Sequence, residues 1–209
     1  MSIIDRIKKD IDKLKVVSYN EEFISSDSKF ITLKKGSYKL NNGKTIVRES
    51  VVKNVGSGCA ACIFAVTKDK KILLVIHPRV VLPNDDKISV EIPAGYIEDG
   101  EDSIIAAKRE LQEETGYSSD KIFLVDSYYP SFGISGERID LFLAIDCEKV
   151  SDLHLDFDEF IVNETVSLDE YKELIDYQYI KGVTERMGYY HYLNYLRGDL
   201  NCEGKKEKE

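Results

Sequence analysis

The sequence predicts a mixed α/β fold of the α+β kind, and three observations predict it. Short β-rich runs recur from residue 29 to residue 166. A single strongly periodic helix interrupts them between Glu101 and Gly116, and two more helical patterns close the chain at Leu168 to Ile175 and Val183 to Leu196. The chain has 209 residues, 43% hydrophobic and 32% charged, so the expectation is one main domain with an extension.

The first element expected is a helix over residues 1–15, where Ile3, Ile4, Ile7, Ile11 and Leu14 fall at helical spacing among Asp and Lys. That pattern is not the apolar core of a secretion signal. Lys29 to Lys39 and Thr45 to Val52 read as strands of a hairpin around Asn41-Asn42-Gly43, because an Asn-Gly pair tolerates the positive φ of a tight turn. Cys59 to Thr67 and Lys71 to His77 are β-rich runs about the charged turn Lys68-Asp69-Lys70, and a loop through Pro83, Asn84 and Asp85 leads to a short strand near Ser89 to Ile92. The central helix carries Ile104, Ile105, Ala107 and Leu111 against charge and stops at Gly116. Strands follow at Lys121 to Tyr129, Ile139 to Ile145 and Phe160 to Val166. The expected division is 1–55, a helix and hairpin; 56–203, the main domain; and 204–209, a charged tail.

A net charge of −9 argues against a nucleic-acid partner, since that binding relies on Lys and Arg displacing counterions. No apolar run is long enough to span a membrane. Four cysteines, Cys59, Cys62, Cys147 and Cys202, are too few for a disulfide scaffold and suit a reducing cytoplasm. Cys59-Ala-Ala-Cys62 lies in an apolar strand pattern and reads as small core thiols; His77, His154 and His191 are scattered and read as structural. Tyr189, Tyr190, Tyr192 and Tyr195, at helical spacing, read as packing of the last helix.

The chemistry concentrates on the central helix. Glu110 and Glu114 stand four apart and share a side, and Glu113, three from Glu110, borders it. Like charges so placed cost the helix roughly 0.3 kcal/mol per pair, so a hard divalent cation gives the cluster a physical reason. An acidic protein also needs such a cation if it is to hold a diphosphate. Arg109, four before Glu113, can orient that carboxylate while reaching Glu101 near the helix start. Upstream, Pro93-Ala94-Gly95 makes a tight backbone entry whose carbonyl could join a metal shell. Any one of these glutamates alone would read as part of a solvated helix face.

As a set they read differently. Gly95, five residues, Glu101, seven residues, then Arg109-Glu110-Leu111-Gln112-Glu113-Glu114-Thr115-Gly116-Tyr117 matches nine specified positions of the Nudix box, which identifies a Nudix resemblance. The resemblance implies an α/β/α sandwich with a mixed sheet and Mg²⁺ or Mn²⁺ as cofactor. It implies Glu110 and Glu114 as principal metal ligands, Glu113 as a further ligand and the Ala94 carbonyl as a backbone contribution. It implies Glu101 and Arg109 as a supporting ion pair, and hydrolysis of a nucleoside diphosphate linked to another moiety.

Beyond the box, His77-Pro78-Arg79, Glu91-Ile92-Pro93-Ala94-Gly95 and Tyr128-Tyr129-Pro130-Ser131-Phe132-Gly133 with Glu137-Arg138 are similar to ADP-ribose pyrophosphatases and nucleotide-sugar hydrolases. The proline of that subgroup, sixteen residues after the last box glycine, is replaced by Phe132. Asp156-Phe157-Asp158-Glu159 resembles the subgroup's acidic loop, with Phe157 where a second glutamate is common, so Glu159 is the candidate base and Glu137 or a box glutamate the alternatives. Arg48, Arg79 and Glu137 are candidates for substrate contact. The subgroup implies a homodimer built on the N-terminal hairpin. The reading that follows is ADP-ribose hydrolysis to AMP and ribose 5-phosphate. The alternatives are another substrate of the class, such as GDP-mannose, a dinucleoside polyphosphate or coenzyme A, and a domain that senses ADP-ribose without cutting it.

Overall fold

A computed structural model of the chain describes residues 16–25, 29–79, 82, 88–154 and 160–200. The expected N-terminal helix, most of the loop around Pro83 to Asp85, the acidic loop with Glu159, and the tail lie outside these residues. The chain divides into two compact units, one made of residues up to 58 with 131–137, the other of 59–130 with 138 onward.

The smaller unit is an antiparallel meander of β1 (Val16–Ser25), β2 (Ile31–Leu40) and β3 (Thr45–Lys53). The expected hairpin is its second half: the Gly43 N–H donates to the Leu40 carbonyl at 3.0 Å and Gly43 takes φ +84°, as the Asn-Gly signal requires. β1 was not expected. Its register on β2 runs through Asn20 opposite Ser37. In the 131–137 segment, Val51 N–H donates to Ile134 O at 2.7 Å, and Lys53 pairs with Glu137.

The larger unit is built on a sheet in the order β11-β5-β4-β10-β8, formed by β4 (Ala60–Thr67), β5 (Ile72–Pro78), β8 (Tyr117–Ser118), β10 (Ile139–Lys149) and β11 (Val162–Val166). β6 (Ile88–Glu91) pairs with β5, β7 (Ala94–Tyr96) with β4 and β9 (Lys121–Tyr128) with β10. β4 and β10 run parallel and their other neighbours antiparallel, so the sheet is mixed. A strand covered on both faces must be apolar at every position rather than at alternate ones. β4 shows this: Cys62, Phe64 and Val66 enter one core, Ala61, Ile63 and Ala65 the other.

Each core has its own helices. Ala106, Ala107 and Leu111 of α1 (Ser103–Thr115) fill one, and Tyr171 of α2 (Leu168–Asp176) with Tyr189 and Tyr192 of α3 (Val183–Arg197) fill the other. The result is the expected α/β/α sandwich. The tyrosines read as packing divide accordingly: Tyr189 and Tyr192 are buried, and Tyr171 stacks on Tyr189 at 5.8 Å, while Tyr190 is exposed. Cys62 and Cys147 are buried thiols, and burial pushes the Cys147 thiol up to about 12. Among the described residues no helix is long and apolar enough to cross a membrane.

Candidate active site

α1 starts where Asp102 accepts the Ile104 N–H at 3.1 Å and ends at Gly116, whose φ of +75° permits an N–H bond to the Gln112 carbonyl at 2.8 Å. Its buried face presents Leu111 to the core, and on the same side Glu110 and Glu114 are 9% and 5% exposed. Acidic groups buried to that degree are held by partners. Glu114 Oε2 accepts the Ala94 N–H at 2.8 Å, which ties the helix to β7. Glu110 lies against Gly95, where a Cβ would overlap its carboxyl group. This is why glycine stands at that position of the motif: the strand must pass close to the ligand-bearing helix.

Arg109 is the cation of the cluster. Its Nε and Nη2 donate to Glu101 at 3.1 and 3.0 Å, a fork on one carboxylate. Nη1 donates to Glu110 at 2.7 Å and Glu113 at 3.1 Å, and Nη2 also reaches the Tyr96 carbonyl at 3.0 Å. The Glu98 N–H donates to Glu101 at 3.0 Å, and the Arg109 guanidinium holds the Glu101 carboxyl below its ordinary range. Arg109 and Glu101, the pair the resemblance implies, are thus in contact, and Arg109 extends to two further carboxylates.

A divalent cation fits these residues. Every donor is a carboxylate or carbonyl oxygen, two of the carboxylates are nearly buried, and the missing side chain at Gly95 leaves the backbone close to them. Among the described residues no three acidic, histidine or cysteine side chains already converge as a ligand set. Arg109 instead supplies the positive charge between Glu101, Glu110 and Glu113. A cation accepting Glu110 and Glu113 would leave Arg109 its fork on Glu101.

A second charged cluster flanks this one; the sequence reading named its Arg79 as a substrate contact but paired it with no carboxylate. Arg79, past the end of β5, donates through Nε and Nη2 to both oxygens of Glu91, each at 2.7 Å, and Ser89 adds its hydroxyl. Burial pushes the Glu91 carboxyl up, but the hydrogen bonds from Arg79 and Ser89 outweigh it and hold the group below its ordinary range. Arg79 also senses the charge of Glu114, which links the two clusters. On α3, Glu185 is 6% exposed; burial pushes its carboxyl up to about 7, against hydrogen bonds from its own N–H and that of Ile92. No motif spacing marks Glu185. Only its place in the first turn of an otherwise apolar-faced helix hints at a buried acid.

The other candidates are dispersed. Arg48 is exposed on β3, its Nη1 donating to the Val47 carbonyl at 2.8 Å, and Glu137 pairs with Lys53; both belong to the smaller unit. Phe132, in place of the subgroup's proline, is 86% exposed. His154 donates its backbone N–H to the Glu113 carbonyl at 3.0 Å, and its side chain lines a cavity of about 290 Å³ with Arg109, Gln112 and Glu113.

Hard oxygen donors along one helix, balanced by a single guanidinium, are suited to holding a divalent cation against a phosphate anhydride. The chain belongs to the Nudix family: the NUDIX domain matches residues 57–187. It is 37% identical over 149 residues to an ADP-ribose pyrophosphatase of Bacillus subtilis, covering 71% of this chain and 77% of the relative. It is 36% identical over 157 residues to the methanol dehydrogenase activator of Bacillus methanolicus, covering 73% and 81%. Among solved structures an ADP compounds hydrolase shares the fold, with a TM-score of 0.73, 19% identity, and coverage of 89% of this chain and 95% of that one. Nudix hydrolases generally act with a divalent metal ion.

Proposed function

We propose that this protein is a Nudix pyrophosphohydrolase that cleaves the diphosphate of a nucleoside diphosphate sugar, with ADP-ribose cut to AMP and ribose 5-phosphate. The observation that carries the reading is the tie between Glu114 and the Ala94 N–H beside the glycine-lined face of Glu110, two buried carboxylates side by side that would suit a hard cation. The relatedness to an ADP-ribose pyrophosphatase over 71% of the chain supports the substrate.

Glu110, Glu113, Glu114 and the Ala94 carbonyl would hold Mg²⁺ or Mn²⁺, which when bound polarises phosphoryl oxygens and lowers the pKa of water. The chain's own residues do the rest. Glu101 and Arg109 keep the ligand helix oriented on the Tyr96 turn. Arg79 keeps its fork on Glu91 and contacts a phosphate through Nη1, the guanidinium nitrogen that the fork does not use. Glu159 takes the proton as water attacks one phosphorus and the anhydride P–O bond breaks, leaving one phosphate on each product. Arg48 and Glu137 are assigned to the nucleoside diphosphate, the 1–55 segment to a homodimer interface, and the protein to the cytoplasm.

The test is incubation with a panel of diphosphate compounds, ADP-ribose among them, with Mg²⁺ or Mn²⁺, the products separated by chromatography. The expected result is AMP and ribose 5-phosphate from ADP-ribose; no turnover of any member overturns the hydrolase. Light scattering checks the dimer, and a monomer removes it.

A further inference from the structure

The last carbonyls of a helix lack partners within it, and in α1 they are taken by the chain that follows β10. Gly116 O accepts the N–H groups of Val150 and Ser151 at 2.8 and 3.2 Å, and Glu113 O accepts that of His154 at 3.0 Å. The Glu114 carbonyl is served differently, by a side chain: Asn163 Nδ2, on β11, donates to it at 2.8 Å. Glu114 is thereby fastened at both ends, its carboxylate to β7 through the Ala94 N–H and its backbone to β11.

Asparagine is a poor choice for this strand on local grounds. It is depleted in strands relative to valine or isoleucine. Its Oδ1 is also buried and has no hydrogen-bond partner among the described residues. An aliphatic side chain would avoid both costs and would lose only the donor to Glu114. We propose that Asn163 is a positioning residue for the metal-binding end of α1, holding Glu114 in register by clamping its main-chain oxygen to β11. The proposal rests on the reading of Glu114 as a metal ligand. Groups that orient a ligand from behind it alter metal affinity or activity about ten- to a hundredfold when removed.

The experiment compares the full chain with Asn163→Val and Asn163→Asp by calorimetric Mn²⁺ titration, steady-state kinetics on ADP-ribose, and metal-free thermal melting. Asn163→Val is expected to weaken Mn²⁺ binding about tenfold and to lower kcat by a similar factor, with KM for the nucleotide within about twofold and the melting midpoint close to wild type, the lost donor to Glu114 being offset by a better strand former and removal of the unpartnered Oδ1. Asn163→Asp sets an acceptor against the Glu114 carbonyl and should lose at least as much. Wild-type Mn²⁺ affinity in both variants overturns the proposal, and so does a fall in melting with unchanged affinity, which would make the residue merely structural. If the wild type binds Mn²⁺ but hydrolyses nothing, the hydrolase reading fails while the titration still decides Asn163. A wild type that binds no Mn²⁺ overturns both.

Discussion

Two arginines organise the charged part of the larger unit, and they do so in opposite ways. Arg109 is shared: one half-exposed guanidinium spans Glu101, Glu110 and Glu113 and a backbone carbonyl. Arg79 is committed, two of its three nitrogens on a single carboxylate, Glu91, with the buried acid Glu185 close enough to feel its charge. A shared cation on carboxylates can be exchanged for another cation at little geometric cost. A committed fork resists exchange, because breaking it leaves a largely buried carboxylate without its donor. The first cluster is therefore suited to taking up a metal, and the second to fixing the strand turn that delivers Ala94 and Gly95 to it.

The largest effect should fall on the exchangeable cluster. Glu114→Gln removes a proposed ligand while leaving an oxygen for the Ala94 N–H, and is expected to lower kcat by about a thousandfold, an order beyond the loss of an outer partner. A thermal melt near wild type would locate that loss in metal binding; activity within tenfold of wild type would remove Glu114 from the ligand set. The second cluster should show in stability. The folded value of the Glu185 carboxyl, about 7, lies above its ordinary 4.5, so the folded state favours the protonated form. That contribution is fully present below pH 4.5 and is lost as pH rises through 7. Relative to Glu185→Gln, the wild type should lose on the order of 3 kcal/mol of unfolding free energy across that window. Glu91 and Glu101 have the opposite sign: their lowered values stabilise the fold at neutral pH and lose that stabilisation on acidification. Denaturant melts at several pH values separate the two, and parallel wild-type and variant curves would return Glu185 to an ordinary value.

The same contrast explains what the sequence made legible. The Arg109 cluster lies on one helix and the turn before it, so fixed spacing converts to fixed geometry. Glu110, Glu113 and Glu114 could be placed on one helix side from i,i+3 and i,i+4 relations, with Arg109 four before Glu113; their roles as ligands came with the Nudix resemblance. The Arg79 cluster joins the end of β5, β6 and the first turn of α3, and no local period connects residues 79, 91 and 185. Strands behaved likewise. β4 and β10 announced themselves by apolar runs that the sheet buries on both faces. β1 did not, since Asn20, Glu21 and Glu22 interrupt its alternation. β7 and β8, of three and two residues, are too short to carry a period.

Gly95→Ala tests how closely the exchangeable cluster is drawn. The atoms nearest the new methyl are the end of the Glu110 side chain, so the fold should survive while Glu110 swings away. Metal affinity and kcat are expected to fall about tenfold, and an unchanged metal titration would mean that Glu110 is dispensable.

The smallest effect probes the committed cluster from behind. Tyr171 is fully buried on α2, and its hydroxyl donates to the Glu185 carbonyl at 3.0 Å, joining the two helices on that face at the turn that holds the buried acid. Tyr171→Phe keeps the ring stacked on Tyr189 and deletes only the donor, a loss of about 1 kcal/mol for a buried carbonyl left without this partner. If α3 merely packs against the sheet, this loss should appear in the melt alone, with kcat and the pH dependence of stability unaltered. If the first turn of α3 supports the Ile92 to Gly95 turn through Glu185, the window near pH 7 should shift and kcat should fall by a small factor. Measuring both on one variant decides whether the second arginine cluster serves the first or only stands beside it.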